Sequence, residues 1–175
     1  MKPEEKARII IDRMLNDAGW EVVDRNHYSP EVSAIAVEEG LLKGNREADY
    51  LLFLNGKAVG VLEAKKESVS IYSEIVADQA EKYTRGVPHW CQAWMNPLPL
   101  VYLSNGRELL FRDTREIDSE YISLNKIHSP KEIVKLLGLK DGSFITVQEA
   151  DLTGEGKMTV FIGKGKDGVV KLDEN

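Results

Sequence analysis

The chain has 175 residues, 42% of them hydrophobic and 30% charged, the balance of a globular domain with a real core, so disorder is not the default. Its net charge of −6 excludes general attraction to nucleic acid, so any phosphate contact must come from a local basic face or from a partner. The single cysteine, Cys91, excludes an internal disulfide and fits a reducing, cytoplasmic setting.

The N-terminus is charged and helical rather than a signal peptide, and no apolar run approaches the roughly 20 residues of a membrane span. Ala7, Ile10, Ile11, Met14, Leu15 and Ala18 recur at helical spacing. Pro3 suits the first turn and Gly19 the stop. Residues 33–42, "SAIAVEEGLL", read as extended. A hairpin over 49–65 follows, turning at Asn55-Gly56, the strongest short hairpin signal, and residues 67–73 read as a loop. A second helix is predicted over 74–85, capped by Ser73 and stopped by Gly86, with Pro88 beyond. Ile75, Val76, Gln79, Ala80 and Tyr83 fall on one face of it, which puts Gln79 on the apolar side, where its amide must find partners. Strand 100–104, an Asn105-Gly106 turn and "RELLF" come next. Ser129, Pro130 and Glu132 form a capping box for a third helix. Short strands "FITVQ" and "MTVFIG" close the chain. The pattern is α/β, with helices packed on a central mixed sheet. It divides into a domain over 1–140 and a β-rich C-terminal extension over 141–175 of unknown function.

Several features have bland explanations. "GEGK" at 154–157 and "GKGKDG" at 163–168 lack the phosphate-loop pattern and its strand–loop–helix setting, and turn chemistry accounts for them. His27, His89 and His128 have no zinc-ligand spacing. Trp20 fits core packing after the first helix. Trp90 and Trp94 are candidates for base stacking or a partner surface.

The hairpin carries chemistry. Along its second strand Glu63 and Lys65 share a face. A strict two-residue turn pairs Leu54 with Lys57 and Asp49 with Leu62, which sets Asp49 on the face opposite Glu63. A longer loop or a bulge, pairing Leu54 with Ala58, sets Asp49 across from Glu63. Two carboxylates then lie side by side beside an ammonium, an arrangement that calls for a cation or a proton. Hard oxygen donors without sulfur or imidazole suit Mg²⁺ or Mn²⁺ rather than zinc.

Asp49 followed by Glu63-Ala64-Lys65 resembles the PD-(D/E)xK nuclease motif, with Glu47-Ala48-Asp49 in place of Pro-Asp. Gln79-Ala80-Glu81-Lys82-Tyr83 resembles the Gln-x-x-x-Tyr motif that accompanies this core in the RecB-like branch. Over residues 5–125 the chain is similar to the N-terminal endonuclease domain of the restriction (motor) subunit of type I restriction enzymes. The resemblance implies a restriction-endonuclease-like fold and a Mg²⁺-dependent deoxyribonuclease, a hydrolase of DNA phosphodiesters. It implies Asp49 and Glu63 as metal ligands, the Ala64 carbonyl as a further ligand, and Lys65 as the catalytic lysine. Glu5, Asp12 and Glu38 are candidates for an additional acid. Gln79 and Tyr83, with Lys82 and Arg85, would position DNA or a catalytic residue. The implied partners are double-stranded DNA and the motor, specificity and modification parts of a type I complex, with no membrane; no ATP motor fits in this length. The alternatives are a non-catalytic docking module on the same fold, or a stand-alone nuclease acting on RNA or damaged DNA.

Overall fold

The computed structural model describes residues 2–42, 46–86, 91–139, 158–161 and 171–174. The predicted strand at 144–148, the Gly/Lys turns at 154–157 and 163–168, and Trp90 lie outside these residues. No helix among the described residues is long and apolar enough to cross a membrane.

Helix α1 (Pro3–Ala18) starts with a proline in its first turn and stops at Gly19, whose φ of 106° is left-handed. Strands β1 (Glu21–Asp24), β2 (Ala34–Leu42), β3 (Arg46–Leu54) and β4 (Lys57–Ala64) follow, then α2 (Glu74–Tyr83). After it come β5 (Gln92–Ala93), β6 (Leu100–Ser104), β7 (Leu109–Asp113), β8 (Ile122–Ser123) and α3 (Pro130–Leu136). The main sheet runs β1-β2-β3-β4-β6-β7-β8, with β5 beside the start of β4. The β1–β2 and β4–β6 pairs are parallel and the β2–β3, β3–β4 and β6–β7 pairs antiparallel, so the sheet is mixed. Strands β9 (Met158–Phe161) and β10 (Lys171–Glu174) pair with each other. The two-residue pieces β5 and β8 and the polar-flanked β1 give too little alternation to be seen in sequence.

Two apolar layers cover the sheet. Ile11, Leu15 and Trp20 from the α1 region and Ile133 and Val134 from α3 pack with Tyr50, Leu52, Leu62 and Tyr102 on one face. Val76 and Ala80 of α2 pack with Leu51, Val61 and Val101 on the other. Adjacent strand residues feed opposite layers, and both faces are buried, which is why β4 and β6 read as nearly continuous apolar runs.

Local details depart from the sequence pattern. Ile10 and Ile75, assigned to buried helical faces, are 46% and 78% exposed. Gln79 is exposed rather than on the apolar side. Helix α2 ends at Tyr83 with Thr84 as its cap, short of Arg85 and Gly86. Trp20 is buried, and its indole N–H donates to the His128 carbonyl at 2.9 Å. Trp94 is half-buried against the α1/α3 layer, which leaves little of its ring for base stacking.

Candidate active site

The β3–β4 hairpin keeps its two-residue turn. Asn55 and Gly56 both have positive φ, 47° and 75°, the combination a tight twisted hairpin requires. Leu54 pairs with Lys57 and Phe53 with Ala58, so the alternative pairing of Leu54 with Ala58 does not occur. The register then shifts: Leu52 pairs with Gly60, leaving Val59 as an extra residue, and Tyr50 pairs with Leu62. One step further along, Asp49 stands opposite Glu63. Beside the bulge, Gly60 lets β6 lie close: a Cβ there would sit 2.7 Å from the Leu100 carbonyl oxygen.

Asp49 and Glu63 accordingly meet where β4 ends. The Ala64 N–H donates to Asp49 Oδ2 at 2.8 Å. Glu63 is 3% exposed; its Oε1 accepts from Lys65 Nζ at 2.9 Å, while its Oε2 is buried with no hydrogen-bond partner. Burial first, and then the negative charge of Asp49, push the Glu63 pKa up to about 7 against the opposing pull of Lys65. A buried carboxylate oxygen without a donor, pressed against a second carboxylate, is the mark of a site that wants a proton or a cation. For Lys65, burial acts to lower the pKa, but the hydrogen bond and charge of Glu63 and the charge of Asp49 outweigh it and raise it.

Helix α2 supports Lys65 from one side of the sheet. Lys65 Nζ donates to Gln79 Oε1 at 3.1 Å, and Gln79 Nε2 donates to the Tyr83 hydroxyl at 3.2 Å. The one-turn spacing of Gln79 and Tyr83 lets the second hold the first. Lys82 and Arg85 do not join this chain of contacts; they line a groove of about 410 Å³ with Glu81, Arg112 and Thr114.

The three candidate acids separate clearly. Glu5 is exposed, and its carboxylate caps the Lys2 N–H at 3.0 Å. Asp12 accepts the Tyr50 hydroxyl at 2.5 Å; burial raises its pKa, offset in part by Tyr50 and Arg8. Glu38 accepts from Arg8 Nη1 at 3.3 Å, and Arg8 Nη2 donates to Asp49 Oδ1 at 2.6 Å. Arg8 was not foreseen. A cation beside the buried helical positions Ala7 and Ile11 looks like a solvated helix edge, and nothing in the sequence ties it to an acid 41 residues later. Among the described residues no group of three or more histidine, cysteine or carboxylate side chains forms a ready-made metal cage.

Comparison with known proteins gives the chain's family and fold. Residues 26–137 match the family described as the type I restriction enzyme EcoKI endonuclease subunit second domain. The EcoKI endonuclease subunit of Escherichia coli (strain K12) is 24% identical over 185 residues, covering 77% of this chain. The chain spans 16% of that relative's length. Among solved structures, a fragment of an HsdR subunit of a type I restriction enzyme from Vibrio vulnificus YJ016 superposes with a TM-score of 0.57 at 21% identity, covering 82% of this chain and 27% of that one. The type IIG restriction endonuclease BpuSI matches at 16% identity and a TM-score of 0.47, over 71% of this chain and 13% of that one. The mixed sheet flanked by helices is the restriction-endonuclease-like fold, and the chain belongs to the family of the type I restriction enzyme endonuclease subunit second domain.

Proposed function

We propose that the chain is the nuclease domain of a type I restriction system, hydrolysing DNA phosphodiester bonds with Mg²⁺ or Mn²⁺ held by Asp49 and Glu63. The observation that carries this is the partnerless, buried Glu63 Oε2 beside the Asp49 carboxylate, an all-oxygen donor pair that suits a hard divalent ion. The Ala64 carbonyl and waters would complete the coordination. Such an ion would supply Lewis-acid polarisation of the phosphate and activation of water. Lys65 commits two N–H donors to Glu63 and Gln79, which leaves the third for a phosphate oxygen where charge develops. Gln79 fixes the direction of that donor and Tyr83 fixes Gln79, so these residues serve Lys65 more directly than they serve DNA. Lys82 and Arg85 offer phosphate contacts along the neighbouring groove. With a net charge of −6, grip and sequence choice on double-stranded DNA fall to motor, specificity and modification parts of a larger assembly.

Calorimetric titration of the chain with Mn²⁺ tests the reading. One weak site is expected, lost in Asp49→Ala and in Glu63→Ala. Absence of binding, or binding unaltered by both substitutions, would remove the metal from this place. Plasmid cleavage by an assembly containing Lys65→Ala at the unaltered rate would instead favour a docking role for the same fold.

A further inference from the structure

Arg8 reaches the acid pair from the layer opposite to Gln79. Its helix packs through Ile11 and Leu15 in the α1/α3 layer, whereas α2 packs in the other. The guanidinium forks: Nη2 donates to Asp49 Oδ1 at 2.6 Å and Nη1 to Glu38 Oε1 at 3.3 Å. Building on the metal site described above, we propose that Arg8 is a positioning residue that takes the cation's place at Asp49 in the metal-free chain and holds down the site's affinity for divalent ions, and that Glu38 acts through Arg8 rather than as a metal ligand.

Three observations carry this. Asp49 is aimed twice, by Arg8 at Oδ1 and by the Ala64 N–H at Oδ2, so the main-chain contact keeps its direction when Arg8 withdraws. Arg8 is a permanent charge, and a divalent ion beside Asp49 meets it at close range, where repulsion is strong. Glu38 pairs with Tyr50 across β2 and β3. Glu38 and Tyr50 therefore share one face of the sheet, while Asp49, the next residue along, and Glu63 opposite it belong to the other. Glu38 and Asp49 are joined by the guanidinium. A phosphate entering the site supplies the negative charge that offsets Arg8, so metal loading is coupled to the arrival of nucleic acid, and the metal-free acid pair remains closed between substrates.

Mn²⁺ calorimetry on the unaltered chain, Arg8→Gln, Arg8→Lys, Glu38→Gln and the Arg8→Gln/Glu38→Gln pair decides the matter. Arg8→Gln is expected to bind Mn²⁺ about tenfold more tightly, the scale of removing one nearby positive charge from a partly solvated site, and Arg8→Lys to stay near the unaltered affinity. Glu38→Gln is expected to weaken binding slightly alone and to have no effect once Arg8 is gone, the non-additivity of residues acting through one another. Binding in Arg8→Gln that is no tighter, even with a lowered urea midpoint, reduces Arg8 to a structural tie and overturns the proposal. Loss of affinity from Glu38→Gln in both backgrounds makes Glu38 a ligand and overturns its second half. Failure of both the unaltered chain and Arg8→Gln to bind Mn²⁺ ends the metal site and this proposal together; a normal titration without the Arg8 effect ends this one alone.

Discussion

Replacing Glu63 by glutamine is expected to make the metal-free chain more stable at alkaline pH while abolishing the metal site. Glu63 is 3% exposed, one of its oxygens has no partner, and its pKa is pushed from the usual 4.5 up to about 7, by burial and then by Asp49. A carboxyl whose folded pKa is raised favours the folded state while protonated. Its contribution is complete below pH 4.5 and is lost as pH rises through about 7. The gap corresponds to roughly 3 kcal/mol at 1.36 kcal/mol per pH unit, most of it disappearing between pH 5 and pH 8. The amide keeps the shape and an oxygen acceptor for Lys65, and it carries no charge against Asp49. Urea unfolding of both chains at several pH values measures this. The unaltered chain should lose ~2–3 kcal/mol relative to Glu63→Gln over that window, and Mn²⁺ at pH 8 should restore stability to the unaltered chain only. Parallel pH profiles for the two chains would refute the reasoning, because they would mean that Glu63 ionises as easily folded as unfolded.

Lys65→Ala is expected to retain the far-ultraviolet circular dichroism of the fold and to slow DNA cleavage by the assembly about a hundredfold or more, the scale of losing one aimed donor in a transition state, as read by plasmid nicking. Gln79→Leu should lower kcat by about tenfold with KM unchanged, because it acts on Lys65 and not on substrate. Gly60→Ala should destabilise the chain by about 1–3 kcal/mol in urea unfolding, since its Cβ would meet the Leu100 backbone oxygen at 2.7 Å. Duplex binding by the chain alone should be weak, indifferent to sequence, and fall with salt at a log–log slope near about −3.6, the value for four phosphates, set by Lys65, Lys66, Lys82 and Arg85 in a gel-shift titration.

What the sequence made legible followed from local signals. The Asn55-Gly56 turn, the Ser129 capping box and the Gly19 stop each act within a few residues, and each stands where predicted. Glu63 and Lys65 were legible because the strand period puts them on a common face, and Gln79 and Tyr83 because they resemble the Gln-x-x-x-Tyr motif. Three things were hidden. The register at Asp49 depended on a bulge at Val59, which the alternation of apolar residues does not mark. The exposure of Gln79 depended on where α2 sits against the sheet, which helical periodicity cannot fix. Arg8 depended on how α1 crosses the end of β4, a tertiary fact with no echo in spacing.

The extra residue at Val59 has a consequence for how such hairpins change over time. Sidedness in a strand is a matter of odd and even, so one inserted residue exchanges the two faces for everything beyond it. From the turn outward, Asp49 and Glu63 differ in parity; Val59 cancels the difference. Straightening the bulge without removing a residue would therefore leave turn, strands and apolar composition in place and yet send the two acids to opposite sides of the sheet. A domain of this kind can lose its chemistry in one small step while remaining a sound, foldable body, and neither an intact Asp and Glu-x-Lys nor the number of residues between them reveals which of the two registers a chain occupies: the bulge does.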